Sequence, residues 1–275
     1  MQVSSLGFRT DLMIRRMAGS VVEDRGDWLV VRTLANPTFW WGNFLLFPTP
    51  PATGDIRRWI TVFRTEFPDA VHRAFGVDGT AGETGSQEEL KSLGVTADVS
   101  IVLTATSLKE PPPPKAVCRR LAGTDDWAQA LQLRLAVDNQ PDTEAYRMFL
   151  RRRVQEAMAL AERGHGAWYG AFVEGRMASA LGIVTDGSGV ARYQSVESHP
   201  DYRRRGLARR LIYEAARYAI GELAAATVVI LADPEYHAIE LYRSLGFIDT
   251  ERHVQLHGPA PDRTRPGKGG TDRVV

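Results

Sequence analysis

The sequence predicts an α/β (α+β) chain in which a mixed β-sheet flanked by helices is built twice, as two pseudo-repeated domains, and three observations carry that reading. Along residues 116–257, apolar residues at helical spacing alternate with short β-type runs. A stretch of the first half recurs in the second at one constant offset. The run YRRRGLARRLI, Tyr202 to Ile212, brings a glycine turn directly into the mouth of an amphipathic helix.

Taken in order, the elements of the second half follow a break at KEPPPPKAVCRRL. There Pro111 to Pro114 forbid helix and remove four backbone donors. GTDDWAQALQLRLAV and TEAYRMFLRRRVQEAMALAERG read as helices, the second ended by Gly164. AWYGAFV, MASALGIVT and VARYQSVES read as strands joined by turn signals at Glu174-Gly175 and DGSG. The helix after the glycine turn places Leu207, Leu211, Ile212, Ala215 and Ala219 on one face. TVVILA is then a strand buried on both faces, HAIELYRSLGF a short helix stopped by Gly246, and ERHVQLH a last strand.

Setting Gly54 under Gly206, an offset of 206 − 54 = 152, aligns FPTPPATGDIRRWI with HPDYRRRGLARRLI without a gap. The same offset lays EELKSLGV on ELYRSLGF, matching Glu88, Ser92, Leu93 and Gly94 with their counterparts. The first half therefore reads as a reduced copy: strand GNFLLF, helix DIRRWITVFRTEF, strand AVHRAFGV, a short helix and strand DVSIVLTA. Its differences are informative. Pro51, Ala52 and Thr53 stand where the second copy has Arg203, Arg204 and Arg205, and Leu90 stands where it has Tyr242. The expected organisation is a reduced domain at 1–110, a linker at 111–115, a complete domain at 116–257 and a solvated tail at 258–275.

Composition narrows the function. Across 275 residues, Lys+Arg 34 against Asp+Glu 33 leaves a formal charge of +1. That is too balanced for a protein that grips nucleic acid by bulk electrostatics, so the triple arginine is a local feature. The one cysteine, Cys118, forms no internal disulfide and fits a reducing cytoplasm. No signal peptide is evident and no segment nears the ~18 apolar residues that cross a bilayer, so the expectation is a soluble cytoplasmic protein. The six histidines lack metal-ligand spacing, and neither a nucleotide P-loop, a serine nucleophile elbow nor an intact dinucleotide glycine motif is present. No metal is expected. Trp40 and Trp41 read as packing residues, and Arg151 to Arg153 as the wet face of a helix.

A strand that runs through a tight turn into a helix leaves backbone N–H groups unpaired where the macrodipole favours negative charge. Gly206 lets a ligand approach that backbone, small Ala208 keeps the approach open, and the arginines add charge-assisted bonds. With VESHPDYRRRGLARRLIYEA before it and LADPEYHAIELYRSLGF after it, the turn resembles the phosphate site of the GNAT superfamily of acetyl-CoA-dependent N-acetyltransferases, over roughly Ala116 to Leu256. The paired halves resemble tandem members in which one copy has degenerated.

The resemblance implies that the R-x-x-G-x-[GA] signature, at Arg203, Gly206 and Ala208 with Arg204, Arg205 and Leu207 between and beside them, holds the cofactor's pyrophosphate. It also implies that the main chain of Val196, Glu197 and Ser198 meets the pantetheine arm and acetyl group. An A-x-x-x-Y pattern gives Ala238 and Tyr242, the tyrosine serving either as acid for the departing thiolate or as a packed aromatic. Glu197 is either the base or a structural carboxylate, since strand alternation turns it and Ser195 away from Val196 and Ser198 unless a bulge intervenes. Two departures from the pattern are Glu235, where many relatives carry Asn, and Ser198, where an apolar residue is common. The implied activity is acetyl transfer from acetyl-CoA to a small-molecule or peptide amine, by a monomer or homodimer. The alternative is a non-catalytic acyl-CoA-binding regulatory module.

Overall fold

The structure, a computed structural model, describes residues 1–138, 140 and 143–260. The chain divides into two compact units. One is Met1–Val102 with the described residues from Glu251 on, and the other is Leu103–Thr250.

The first unit opens with helix α1 (Leu6–Met17) and the hairpin strands β1 (Val21–Asp24) and β2 (Leu29–Arg32). Strand β3 (Phe44–Phe47), helix α2 (Asp55–Glu66), strand β4 (His72–Val77), helix α3 (Gln87–Ser92) and strand β5 (Thr96–Ala105) follow. Strands β1, β2 and β3 are antiparallel neighbours, and β3 runs parallel to β4. The spacing of Ile56, Trp59, Ile60 and Phe63 puts all four on the buried face of α2. Trp59 stacks on Phe47 with ring centroids 3.8 Å apart, and Phe75 packs beside both. Fully burying one such aromatic is worth about 1.5–3 kcal/mol.

The second unit comprises strand β6 (Val117–Arg120), helices α4 (Gly123–Val137) and α5 (Glu144–Glu162), and strands β7 (Gly166–Val173), β8 (Arg176–Val184) and β9 (Val190–Ser198). Helix α6 (Leu207–Gly221), strand β10 (Thr227–Ala232) and helix α7 (Ala238–Leu245) complete it, and strand β11 (Ile248–Pro259) leaves it. Strands β6 to β9 form an antiparallel series, with β10 parallel to β9. As the apolar spacing requires, Leu207, Leu211, Ile212, Ala215 and Ala219 are all buried on α6.

The two units share an order of elements at the offset found in the sequence. Adding 152 to Asp55 at the start of α2 gives 207, where α6 begins, and adding it to Thr96 gives 248, where β11 begins. Gln87 gives 239, one residue inside α7. Each copy's last strand then crosses the division. Strand β5 begins in the first unit and ends in the second, and β11 does the reverse.

This departs from the expected boundaries. The run ERHVQLH, placed at 116–257 from sequence, pairs antiparallel with β4, Val254 opposite Val77 through Pro259 opposite His72, so it lies with the first unit. The division falls inside β5 rather than at the proline run, because β-pairing and not composition decides which residues cohere. Within the expected tail, Gly258 and Pro259 belong to β11, and residues 261–275 lie outside the described residues. The sequence also gave no forewarning of α1 and the β1–β2 hairpin. The helix is capped by Ser5 and buries Phe8, Leu12, Met13 and Ile14.

Candidate functional site

The site is built where β9 parts from β10. Their parallel register runs from Val190 opposite Thr227 to Arg192 opposite Val229, while β9 continues for 198 − 192 = 6 more residues to Ser198 against β8. Main-chain groups on the β10 side of that last stretch, Val196 to Ser198 among them, are therefore not used by the ladder.

A bulge interrupts the stretch. Gly182 pairs with Gln194 and Ala180 with Glu197, so Leu181 faces two residues, Ser195 and Val196, and Ser195 takes φ +50. The extra residue turns Glu197 to the face of its partner Ala180, which packs with Leu133 of α4. Glu197 is buried, and its Oε1 is held by the Arg134 guanidinium from α4. Ser198 goes to the other face, where its hydroxyl lies 2.9 Å from that of fully buried Ser179. Ser179 in turn donates to the Glu197 carbonyl at 2.6 Å. This pairing accommodates a serine where the sequence pattern favours an apolar residue, because it gives the Ser198 hydroxyl a buried partner.

The chain then turns through Pro200–Tyr202 into the arginines. Arg204 has φ +60 and Gly206 φ +76, ψ +6, which makes Gly206 the left-handed residue that opens α6. A Cβ placed on Gly206 would meet nothing within 4 Å, so glycine is there for backbone conformation and open approach, not for packing. The helix begins its ladder with the Arg210 N–H on the Gly206 carbonyl at 3.1 Å. The N–H groups of Leu207, Ala208 and Arg209 precede that bond. No acidic residue stands in the first turn. Arg203, Arg204 and Arg205 are exposed; Arg203 reaches back to the Ser198 carbonyl at 3.4 Å, and Arg205 to the Asp201 carbonyl at 3.0 Å. The turn thus gathers positive charge and unpaired donors at the end of the parted strand.

Tyr242 comes from α7, 1% exposed, with Phe247 edge-on at 6.2 Å between centroids. Its Oη is buried with no hydrogen-bond partner among the described residues. Burial pushes the phenol well above its ordinary range, with the neighbouring Tyr236 adding to the shift. Such an orphaned hydroxyl is unusual inside a protein and fits a site whose partner arrives with a ligand. Glu235 donates its N–H to the Asp233 carboxylate at 2.8 Å, in the turn that leads to α7.

Residues 127–247 match the model of the acetyltransferase (GNAT) family. The chain carries a GNAT acetyltransferase domain. With that domain it is an acyl-transferring enzyme, and the family's reaction is acyl transfer to an amine, with acetyl-CoA as the general donor. No curated protein matches the sequence. Among solved structures, a GCN5-related N-acetyltransferase from Kribbella flavida has a TM-score of 0.64 at 15% identity, covering 98% of this chain and 99% of its own. A functionally unknown conserved protein from Staphylococcus epidermidis has a TM-score of 0.70 at 13% identity, over 87% of this chain and 93% of its own. A tandem GNAT protein from the clavulanic acid biosynthesis pathway has a TM-score of 0.54 at 14% identity, over 94% and 89%. At these identities the likeness is one of fold, and it extends the GNAT-like fold to the first unit.

Arg134 and Ser179 escaped the sequence reading. Arg134 lies 63 residues from Glu197 on a different element, and only the folded chain brings them together. Trp40, read as a packing residue, stacks on the buried His72 with centroids 5.3 Å apart. Among the described residues no cluster could hold a metal ion, and no helix is long and apolar enough to cross a membrane.

Proposed function

We propose that the second unit transfers an acetyl group from acetyl-CoA to a primary amine of a small molecule or peptide, by direct attack, in the cytoplasm. The observation that carries this reading is the buried, unpartnered Tyr242 hydroxyl in a domain whose β9 ends in a phosphate-type turn. In that role Gly206, Leu207 and Ala208 offer N–H groups to a diphosphate, flanked by Arg203, Arg204 and Arg205, and Val196 to Ser198 offer main chain to the pantetheine arm. Acetyl-CoA, when bound, supplies an activated acetyl thioester.

Tyr242 Oη keeps its proton throughout the neutral range because burial disfavours the phenolate, so it is the proton source for a thiolate forming beside it. Glu197 takes a different part from the base considered above. Its carboxylate already faces Arg134, and accepting a proton would discharge that ion pair. We assign it to orientation: the acceptor arrives as the neutral amine, the thiolate takes the Tyr242 proton, and the proton shed by the acylated nitrogen restores the phenol, so no other base is needed.

The test is calorimetric titration of acetyl-CoA into the intact chain, with release of free CoA followed across a panel of polyamines, aminoglycosides, arylalkylamines and peptide N-termini. One cofactor per chain is expected. Tyr242→Phe should lower kcat by about 100-fold, as loss of a general acid does, while acetyl-CoA affinity stays within about twofold. The same variant should unfold at an equal or higher temperature, because it removes a buried donor that lacks a partner. Full activity in Tyr242→Phe would remove the tyrosine from the mechanism. Cofactor binding without turnover of any amine would favour the acyl-CoA-binding regulatory module.

A further inference from the structure

Glu197 sits at one end of a chain of charged contacts that runs across the second unit. Arg134 on α4 places Nη1 on Glu197 and Nε 3.7 Å from Asp138 Oδ2, one turn along. Tyr146, in the first turn of α5, donates its hydroxyl to that same Asp138 oxygen. The side chains of Arg134, Asp138 and Glu197 are 21%, 16% and 7% exposed, so these are ion pairs largely withdrawn from water. At that depth a lost partner leaves a charge that water only partly compensates. One guanidinium thus bridges the residue just past the β9 bulge and Asp138, whose carboxylate Tyr146 at the start of a separate helix also engages.

We propose that Arg134 is a positioning residue of the transfer site. It fixes the Glu197 carboxylate beside the bulge, and Asp138 and Tyr146 fix Arg134 in turn. The start of α5 and the bulged end of β9 therefore hold one arrangement, and the acceptor's amine meets a carboxylate of set place and charge. The role depends on the planar fork of arginine, whose Nε and Nη1 engage two carboxylates at once; a lysine offers a single point charge. The inference rests on the acetyl-transfer reading for its purpose, and on the contacts alone for the coupling.

Hydrogen exchange on the intact chain, with and without acetyl-CoA, tests the coupling in Tyr146→Phe, Arg134→Lys and Arg134→Met. In Tyr146→Phe, exchange at Val196 to Ser198 should rise although the substitution is on α5, and in Arg134→Met it should rise by about tenfold, within the range of coupled networks. Arg134→Lys should recover part of that loss, and acetyl-CoA affinity should stay within about twofold of the intact chain in all three. With the fastest amine of the panel, Arg134→Met should raise KM for the amine about tenfold and leave KM for acetyl-CoA unchanged. Unaltered exchange at Val196 to Ser198 in folded Tyr146→Phe and Arg134→Met would overturn the coupling, and an unchanged amine KM would overturn the role. Failure of the intact chain to bind acetyl-CoA would instead defeat the acetyl-transfer reading, and the exchange result would still decide the coupling.

Discussion

The two glycine turns, Gly54 and Gly206, share a backbone and differ in where their anion comes from. Both glycines are left-handed, at φ +90 and φ +76, and each opens a helix. In the first unit the Gly54 N–H donates to both oxygens of Glu89, at 3.1 and 3.0 Å, and the Ala52 N–H donates to Asp55 at 3.0 Å. In the second, no carboxylate stands in the first turn and three arginines flank the glycine. The strands differ in the same sense. Strand β3 stays paired with β4 through its last residue, Phe47 opposite Val77, whereas β9 leaves β10 after Arg192. The first copy brings a carboxylate to its helix mouth and a partner to its strand edge from within, and the second leaves both to be supplied by something else.

The largest expected effect separates the turns directly. Gly206→Glu should weaken acetyl-CoA binding by more than about 100-fold, because it sets bulk and negative charge among the donors meant for phosphate. Gly54→Glu should leave affinity within about twofold in calorimetry. Both substitutions force a side chain into a left-handed conformation at a cost of about 1–2 kcal/mol, so each controls for the other's folding penalty. Equal loss in the two variants would erase the distinction between a served and an open turn.

A second asymmetry concerns acid. The buried histidines His72, His253 and His257 all belong to the first unit. Burial lowers His72 to about 4, against the acceptor pull of the Asn43 carbonyl at 2.9 Å. Its folded value lies below its unfolded one near 6.5, so the unfolded chain takes up the proton first. The contribution is intact above pH 6.5 and lost as pH falls towards 4, by about 3 kcal/mol over that window. Urea unfolding at pH 7 and pH 4.5 should show a drop in stability that His72→Gln lessens, with exchange in the first unit rising before that in the second. A simultaneous rise in both units would mean that His72 does not set their order.

Much of this was legible in the sequence, for reasons that are local. Helix α6 follows from five apolar positions on one face, and the start of α2 from the gapless match of Gly54 with Gly206. What could not be read depends on pairing across the chain. The ERHVQLH strand looks the same whichever unit receives it, and only its ladder with β4 assigns it. The bulge at Ser195 is an insertion relative to β8, invisible without the partner strand, and it decides which way Glu197 faces. Arg134 had no signature at all, since its meaning lies in a contact with a residue on another element.

The Glu89 contact gives the smallest and most selective test. A carboxylate at a helix start, accepting two bonds from one N–H, stabilises that helix through the charge-assisted bond and the macrodipole together. Glu89→Gln keeps the shape and one acceptor, so the loss should be about 0.5–1 kcal/mol, smaller at high salt. Hydrogen exchange should locate it at the first turn of α2, with acetyl-CoA binding and turnover unchanged. If the neutral variant is as stable as the intact chain at low salt, the charge of Glu89 is not what quiets the first turn. The paired strands β3 and β4 would then be the feature that distinguishes the closed copy from the open one.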